Sequence, residues 1–442
     1  MKTIRQAIWL IALFIIPTES YAQQNTENTD TTSLLRDEIL LSLKECQTIA
    51  LENSSTLKAS EAQSQAYLYE LKAAKSDFLP SLSAAASSSY YVGSPEGENI
   101  PSGTLRDLYY TSSLTLRQNI YAGGTTTHKA KAAALSLEIS ELNTQRTRQE
   151  ILYTAETSYW SYIASLLQLK AMEDYLVTTE QLLRSIEIRH SEGYTSRLDL
   201  LMIKTRLQEA LVQLNSAEQQ CLVSLQSLNT AMGNTQEHKY LPTDTLSLPG
   251  RIPTTQDYSY ALSHRYDLQS YERNEELQKE NISVTRSLYN PQLWLSLEGY
   301  YGTPTPNYPT STNALYGVAK INFSATIFEF GKRHKSVQAA KQTAASATHS
   351  TEELRKTIAG ELSTALTNIH KQYDQSTLSH RSLEIAAENL SLNIFSYEEG
   401  TIPILDVLSS QLSWISAQTT YIDSLYGYAL AVAAYRLAVG EF

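Results

Sequence analysis

Two aspartates occupy matching positions and are the side chains in this sequence best suited to ion chemistry. Asp199 and Asp406 each lie six residues after a glycine. A carboxylate there could favour cations beside a narrow passage, or it could cap the start of a helix. Ser196-x-x-Asp199 matches a capping box, whereas Pro403, three residues before Asp406, has no side-chain cap to offer. Asp406 is therefore the better candidate for an ionic role, with the helix dipole as its structural alternative.

The rest of the sequence lacks the common signatures of enzymes and metal sites. Its eight histidines are scattered without ligand spacing, and no zinc, phosphate-loop or nucleophile-elbow motif occurs. We expect no catalytic residue, no cofactor and no metal site. Cys46 and Cys221 are expected to lie far apart in the helical layout derived below, so a disulfide between them is the less favoured interpretation even in an oxidising compartment.

The N-terminal residues have the form of a secretory signal. Lys2 and Arg5 precede nine apolar residues over 8–16, and Ser20-Tyr21-Ala22 has the small-x-small form of a cleavage site. Nine apolar residues are too few for a membrane-spanning helix, so we predict a signal peptide over 1–22. No cysteine follows the cleavage point, which predicts the absence of a lipid anchor. No later segment resembles a transmembrane helix, so any membrane crossing would be by strands.

The charge balance excludes one class of partner. The chain has 35 basic and 46 acidic residues, which gives a net charge of −11. Because binding to phosphates requires a basic face, nucleic acid is not an expected partner.

The mature sequence contains an internal duplication. Glycines and aspartates recur at an offset of 207, and further upstream the offset becomes 211, with the change in a Gly/Pro-rich loop where added length costs little. We predict repeats over 23–233 and 257–442, joined by a linker over 234–256. The pairs are Gly124 and Gly331, Gly193 and Gly400, Asp199 and Asp406, Gly233 and Gly440, then Leu57 and Leu268, Pro80 and Pro291.

Each repeat contains three long segments that are almost free of helix breakers. Such segments, rich in Ala, Leu, Gln, Glu and Ser, predict helices, and the middle one of each repeat would be about 100 Å long. Apolar positions at Leu383, Ala387, Leu390, Ile394 and Tyr397 have the spacing of a coiled-coil seam. The predicted helices are Leu43–Asp77, Thr125–Glu192, Thr195–Met232, Asp257–Tyr289, Lys332–Glu399 and Ile404–Val439.

Between the first and second helices of each repeat the apolar period changes from 3.6 to 2. This alternation predicts four strands of about ten residues, apolar on one face and polar on the other, with aromatic ends. That length suits a tilted strand crossing a bilayer, although hairpins lying on a soluble protein are the alternative. The predicted strands are Ser81–Tyr91, Tyr110–Tyr121, Gln292–Tyr301 and Ala319–Phe328.

Four strands cannot close a barrel in lipid, because the backbone groups at the sheet edges would be unpaired. Copies of the chain must therefore share one barrel, and three copies give the smallest symmetric solution with an open bore. The predicted fold class is mainly α with β: a long coiled-coil helical barrel plus a four-strand contribution to a shared transmembrane β-barrel, internally duplicated. The alternative to a membrane-inserted barrel is a periplasmic coiled-coil structural or adhesin-like protein that never enters the membrane.

The layout of the whole mature chain resembles the TolC family of outer-membrane efflux proteins. The order and duplication of several short segments carry the resemblance more than any single one does. Arg265-Tyr266-Asp267-Leu268 departs from the family's Arg-Pro-Asp-Leu. The segments are Ala50-Leu51-Glu52-Asn53, Phe78-Leu79-Pro80-Ser81-Leu82, Ala261-Leu262-Ser263-His264 and the turn from Glu399 to Leu408.

The resemblance implies a passive conduit from periplasm to exterior, and no enzyme. It implies a homotrimer in outer-membrane lipid, with a helical tunnel that docks onto a periplasmic adaptor (membrane fusion protein) and an inner-membrane transporter. The turns after the long helices would form the periplasmic tips, where the family's adaptors bind. The expected adaptor contacts are Gly193, Tyr194, Thr195, Leu198, Gly400, Thr401, Ile402 and Leu405.

The resemblance also implies a periplasmic gate. Asp406 matches a position where some family members carry a ring of carboxylates, Asp199 is its counterpart in the first repeat, and Tyr397 falls where a gate tyrosine is common. Ile402 and Ser409 stand where some members have a base and an acid, which predicts the absence of the usual salt-bridged lock.

Overall fold

The structure, a computed structural model, describes residues 39–90, 108–234, 238–247, 258–302 and 313–442. The predicted signal peptide, most of the predicted linker and the Gly/Pro-rich hairpin loops lie outside these described residues.

The chain repeats one order of elements: two short helices, two strands, one very long helix and one long helix. The duplicated, mainly helical fold that the sequence predicts is confirmed. The first set is α1 (Leu43–Asn53), α2 (Ser55–Ser76), β2 (Ser81–Tyr90), β3 (Leu108–Tyr121), α3 (Thr125–Ser191) and α4 (Arg197–Ala231). The second is α5 (Tyr258–His264), α6 (Tyr266–Ser287), β5 (Gln292–Gly302), β6 (Ala314–Ser324), α7 (Lys332–Glu398) and α8 (Ile404–Val439). Short strands β1 (Ile39–Leu41) and β4 (Tyr240–Pro242) pair in parallel beside them.

The first predicted helix of each repeat was wrong in one respect, because each is broken into two. Ser54 has an extended conformation, and its Oγ accepts a hydrogen bond from the Leu57 N–H at 3.1 Å, which starts α2. Arg265, with φ −75° and ψ 115°, separates α5 from α6 in the same way. Neither break contains the Gly or Pro that marks most helix ends, so the search for helix breakers passed over both.

The long helices have the predicted lengths. α3 and α7 contain 67 residues each, or about 100 Å at 1.5 Å per residue. Each follows a glycine in the left-handed conformation, Gly124 at φ 89° and Gly331 at φ 82°. α4 and α8, of 35 and 36 residues, return along them as antiparallel hairpins.

The four strands form one antiparallel sheet in the order β2-β3-β5-β6. The predicted strand Ala319–Phe328 was displaced from the observed β6. Ser324 pairs with Gln292, the first residue of β5, so beyond Ser324 the chain has no partner strand to continue with. The strand instead extends back to Ala314.

The sheet has one apolar and one polar face. On one face Leu82, Leu114, Leu116, Leu297, Ile321 and Phe323 are all exposed. On the other, Lys320 forms an ion pair with Glu298 at 2.6 Å and the Asn322 amide donates to Ser296 Oγ at 3.2 Å. Within the described residues, the outer edges of β2 and β6 pair with no strand. An exposed apolar face and two unpaired strand edges are features of a sheet that associates with other surfaces.

The two repeats match in detail. Ser81 pairs with Arg117, and the residues at offsets 211 and 207, Gln292 and Ser324, pair likewise. The same offsets relate two helix contacts: the Thr144 hydroxyl donates to Ser60 O at 3.3 Å, and the Thr351 hydroxyl donates to Tyr271 O at 3.5 Å. The duplication therefore extends to strand register and helix packing.

Four separate apolar clusters lie along the helices in place of one central core. Cys46 belongs to the first cluster, and Cys221 packs against the same cluster. Both are free thiols, and burial raises the pKa of Cys46 to about 12. Within the described parts of the chain, no helix is both long and apolar enough to cross a membrane.

Candidate functional site

The turns that join α3 to α4 and α7 to α8 have the same construction. Gly193 and Gly400 take left-handed conformations, with φ 82° and 76°. The next residue in each turn donates its N–H back to the helix, Tyr194 to Arg189 O at 2.8 Å and Thr401 to Ser396 O at 3.0 Å. These bonds close the helix ends by a Schellman-type cap. We call the two turns the hairpin tips.

The hairpin tips present apolar side chains outward. Tyr194 is 76% exposed, Leu198 66% and Leu405 58%. Thr401 is also exposed, whereas Ile402 packs against a core cluster. Two of these exposed apolar residues belong to the first tip and one, Leu405, to the second.

One core cluster draws residues from both tips. It contains Leu182 and Ile186 of α3, Ile203 of α4, Tyr397 of α7, and Ile404, Val407 and Leu408 of α8. The two repeats are therefore packed together at this end.

Asp199 forms the capping box that the sequence predicts. Its carboxylate accepts hydrogen bonds from the Thr195 hydroxyl at 2.8 Å and the Ser196 N–H at 3.1 Å, while its own N–H donates to Ser196 Oγ at 3.1 Å. Partial burial would raise the pKa of Asp199, but the hydrogen bonds from Thr195 and Ser196 outweigh burial, and the pKa is lowered. The side chain is anionic and committed to starting α4.

Asp406 is placed differently. It lies in the first turn of α8, whose N-cap residue Pro403 makes no side-chain hydrogen bond. Its side chain is exposed, and no side chain or backbone group of the described residues binds its carboxylate. Unlike Asp199, Asp406 is free to act on ions outside the chain.

Tyr397 is buried and bound by a residue that sequence reasoning missed, Arg189. The Arg189 guanidinium lies 5.1 Å from the Tyr397 ring centroid and donates to the backbone oxygens of Tyr397 at 3.2 Å and Glu398 at 2.9 Å. Arg189 thus caps the C-terminus of α7 from the end of α3, across the two repeats. A basic residue in the last turn of α3 was visible in the sequence, but its partner on another helix was not.

A comparison with protein families decides what kind of chain carries these features. The model for the outer membrane efflux protein family matches residues 48–234 and 258–441. The chain belongs to that family. The resemblance to the TolC family noted from the sequence is confirmed, and it places this efflux-family protein in the outer membrane.

Curated relatives of this efflux-family protein match it over part of their length. Nodulation protein T of Rhizobium leguminosarum bv. viciae is 28% identical over 163 residues, covering 36% of this chain and 33% of the relative. The pyoverdine export outer membrane protein OpmQ of Pseudomonas aeruginosa is 25% identical over 310 residues, covering 66% and 62%. The matches thus span a third and about three fifths of these relatives.

Solved structures share the fold. The CmeC outer membrane channel of Campylobacter jejuni superposes with a TM-score of 0.79 at 19% identity, over 90% of this chain and 85% of that one. The outer membrane protein VceC of Vibrio cholerae gives 0.75 at 17% identity, over 90% and 96%.

In this efflux-family chain, polar contacts join α3 to α8 at intervals along these two helices. Their positions on α3 are 12 and then 11 residues apart. Two of the four apolar clusters also contain residues of both repeats, so the two hairpins meet across a seam that is partly apolar and partly polar. The contacts are Arg436 with Glu156 at 3.0 Å, Gln168 with Asp423 at 2.6 Å, and Gln411 with Thr179 at 2.9 Å.

A metal site does not appear in the part of the chain that the structure describes, where no three His, Cys, Asp or Glu side chains are grouped to hold an ion.

Proposed function

We propose that three copies of this chain form a channel through the outer membrane, and that the channel is a passive conduit for efflux. The observation that carries the proposal is the four-stranded sheet with an exposed apolar face and two open edges. Each unpaired backbone group in lipid costs on the order of several kcal/mol, and a sheet avoids this cost only by closing into a barrel. Three copies supply twelve strands, enough to leave a bore.

The internal repeat predicts how the copies pair. Thr115 of β3 pairs with Glu298 of β5 where the two repeats meet within the chain. At offsets 207 and 211 the corresponding residues are Asn322 of β6 and Ser87 of β2, both on the edges that remain open. The same pairing between neighbouring copies would place Asn322 opposite Ser87 and keep both on the polar face.

The long helices offer a second surface for assembly. α7 exposes Leu378, Ile385 and Leu392 at seven-residue intervals, and α4 exposes Leu201 and Val212. Seven-residue spacing is that of a coiled-coil seam. Because the two surfaces differ, contact between copies would be head-to-tail, and such contacts form a ring when the rotation closes.

The hairpin tips would be the docking end. We propose that Gly193, Tyr194, Thr195, Leu198, Gly400, Thr401, Ile402 and Leu405 contact a periplasmic adaptor, which links the channel to an inner-membrane transporter. Support comes from the exposed apolar side chains at the tips and from membership of the efflux family. The transporter would supply the energy, and the chain itself would carry no catalytic residue.

The gate would lie beside the tips. Three copies of Asp406 around a narrow mouth would favour cations and repel anions. Tyr397, held by Arg189, would fix the end of α7 in the closed arrangement. Asp199 contributes through its capping box, which positions the start of α4.

The proposal predicts a simple result on isolated membranes. The mature chain should leave the cell interior after loss of residues 1–22 and fractionate with the outer membrane. Solubilised in detergent without heating, it should migrate on a gel as a trimer, and heating should convert it to a monomer. A water-soluble monomer that needs no detergent would contradict the proposal and favour the periplasmic coiled-coil alternative.

A further inference from the structure

Positive charge is concentrated where the strands meet the helices. This junction comprises residues 72–80, 121–131, 286–292 and 325–335. Together these segments hold eight lysines or arginines and two acidic residues, in a chain whose net charge is −11. An acidic protein thus carries a basic band at one level.

The start of α7 is the most basic part of the junction. Lys332, Arg333, His334 and Lys335 are consecutive and exposed, and the first turn of α7 contains no acidic residue. Within the described chain, Lys332, Arg333 and Lys335 form no ion pair. The helix dipole repels cations at a helix N-terminus, so an anion from outside the chain would offset this repulsion.

Apolar side chains stand beside this charge. Ile327 is 97% exposed, Phe328 71% and Phe330 93%. The two phenylalanine rings contact each other edge to face, with centroids 4.7 Å apart. Aromatic rings next to lysines and arginines, at the end of an apolar sheet face, are the composition of a membrane interface.

The backbone of Phe330 gives an independent reason to look outside the chain. Phe330 has φ 46°, and it is the one residue other than glycine with positive φ among the described residues. The matching position in the first repeat is Gly123, at φ 67°. A glycine takes this conformation without strain and a phenylalanine does not. Because the Phe330 ring is exposed, burial of this ring within the chain does not offset the backbone strain.

We propose that Lys332, Arg333 and Lys335, with Phe328 and Phe330, bind the headgroups of anionic phospholipids at the helix-side surface of the membrane. The inference rests on the proposed insertion of the strands. The rings would lie at the level of the headgroups while the basic side chains contact their phosphates. Because the charges stand in the first turn of a rigid helix that continues the barrel, lipid binding would hold the strand–helix junction at the membrane surface.

The test uses the full-length trimer in neutral detergent. Phosphatidylglycerol or phosphatidylcholine is titrated in, and the temperature at which the trimer dissociates is read on gels. The variant Lys332→Gln/Arg333→Gln/Lys335→Gln is compared with Lys356→Gln/Lys371→Gln/Arg381→Gln, which removes three charges from the same helix far from the junction. Each charge near a lipid surface changes binding about fivefold, so the junction variant should need about a hundredfold more phosphatidylglycerol.

Wild type and the control variant should be stabilised more by phosphatidylglycerol than by phosphatidylcholine, and added salt should reduce the difference. Phe330→Gly, which suits the backbone, should form trimers but gain less from either lipid. Equal effects of the two lipids on wild type, or an unchanged response of the junction variant, would overturn the inference. Either result, with the trimer intact in detergent, would leave the proposed channel standing, whereas loss of the trimer in wild type would refute the channel itself.

Discussion

Replacing Arg189 by Ala should loosen the contact that joins the two repeats at the tips. The guanidinium makes two hydrogen bonds to the end of α7 and lies over the ring of Tyr397. A hydrogen bond contributes about 0.5–1.5 kcal/mol net, and a cation–ring contact about 0.5–1 kcal/mol. With its partial exposure discounted, Arg189 stabilises the joined tips by about 2 kcal/mol, which corresponds to a roughly thirtyfold shift in the equilibrium between joined and separated tips.

The assay is conductance of the purified trimer in planar bilayers. Arg189→Ala should raise the fraction of time spent in open states, and Arg189→Lys should have an intermediate effect because an ammonium lacks the planar fork of donors. Arg184→Ala is the matched control, since Arg184 is exposed on the same helix and its loss removes the same charge. Open fractions for Arg189→Ala equal to those of wild type and the control would refute the reasoning.

Three further changes test other parts of the structure. Hydrogen bonds lower the pKa of Asp199 in the folded chain. The stabilisation of the start of α4 by Asp199 should therefore be present above about pH 4 and lost as the pH falls through the lowered pKa of the folded state. Hydrogen exchange should show this loss in wild type and not in Asp199→Asn. A Cβ on Gly302 would overlap the backbone oxygen of Tyr110 in β3, so Gly302→Ala should prevent trimer assembly on unheated gels. Gly299→Ala, whose Cβ would lie 4.0 Å from the Leu114 backbone oxygen, should assemble. Thr179→Val or Gln411→Leu alone leaves a buried polar partner and should cost about 1–3 kcal/mol in thermal unfolding, while the double change should cost less than the sum.

Each of these has a clear contrary outcome. A pH response that persists in Asp199→Asn would show that another group titrates. Normal assembly of the Gly302 variant would mean that β3 and β5 are not in close contact. Additive costs for Thr179 and Gln411 would show that the two side chains do not interact.

The large features of the fold could be predicted from the sequence because they depend on local pattern. Segments almost free of Gly and Pro predicted the long helices, and alternating apolar residues predicted the strands. Glycines needed at positive φ, such as Gly193 and Gly400, marked the turns. The same offset between repeats gave the duplication.

What could not be predicted depends on contacts between distant segments. The end of β6 is set by where β5 begins, which the local pattern of Ala319–Phe328 does not contain. Arg189 was missed because its partners lie on another helix about 200 residues away. The helix break at Ser54 was missed because an N-cap serine inside a helical segment looks like an ordinary exposed residue.

The central claim is that β6 of one copy pairs with β2 of the next, and a crosslink tests it most directly. Asn322→Cys combined with Ser87→Cys in one chain should form disulfides between copies and yield a trimer that survives heating without reductant. The intrachain pair Thr115→Cys with Glu298→Cys, adjacent in the sheet, should crosslink without joining copies. If the control pair reacts and Asn322 with Ser87, together with pairs shifted by two residues along β2, yields only monomers, the shared barrel is contradicted.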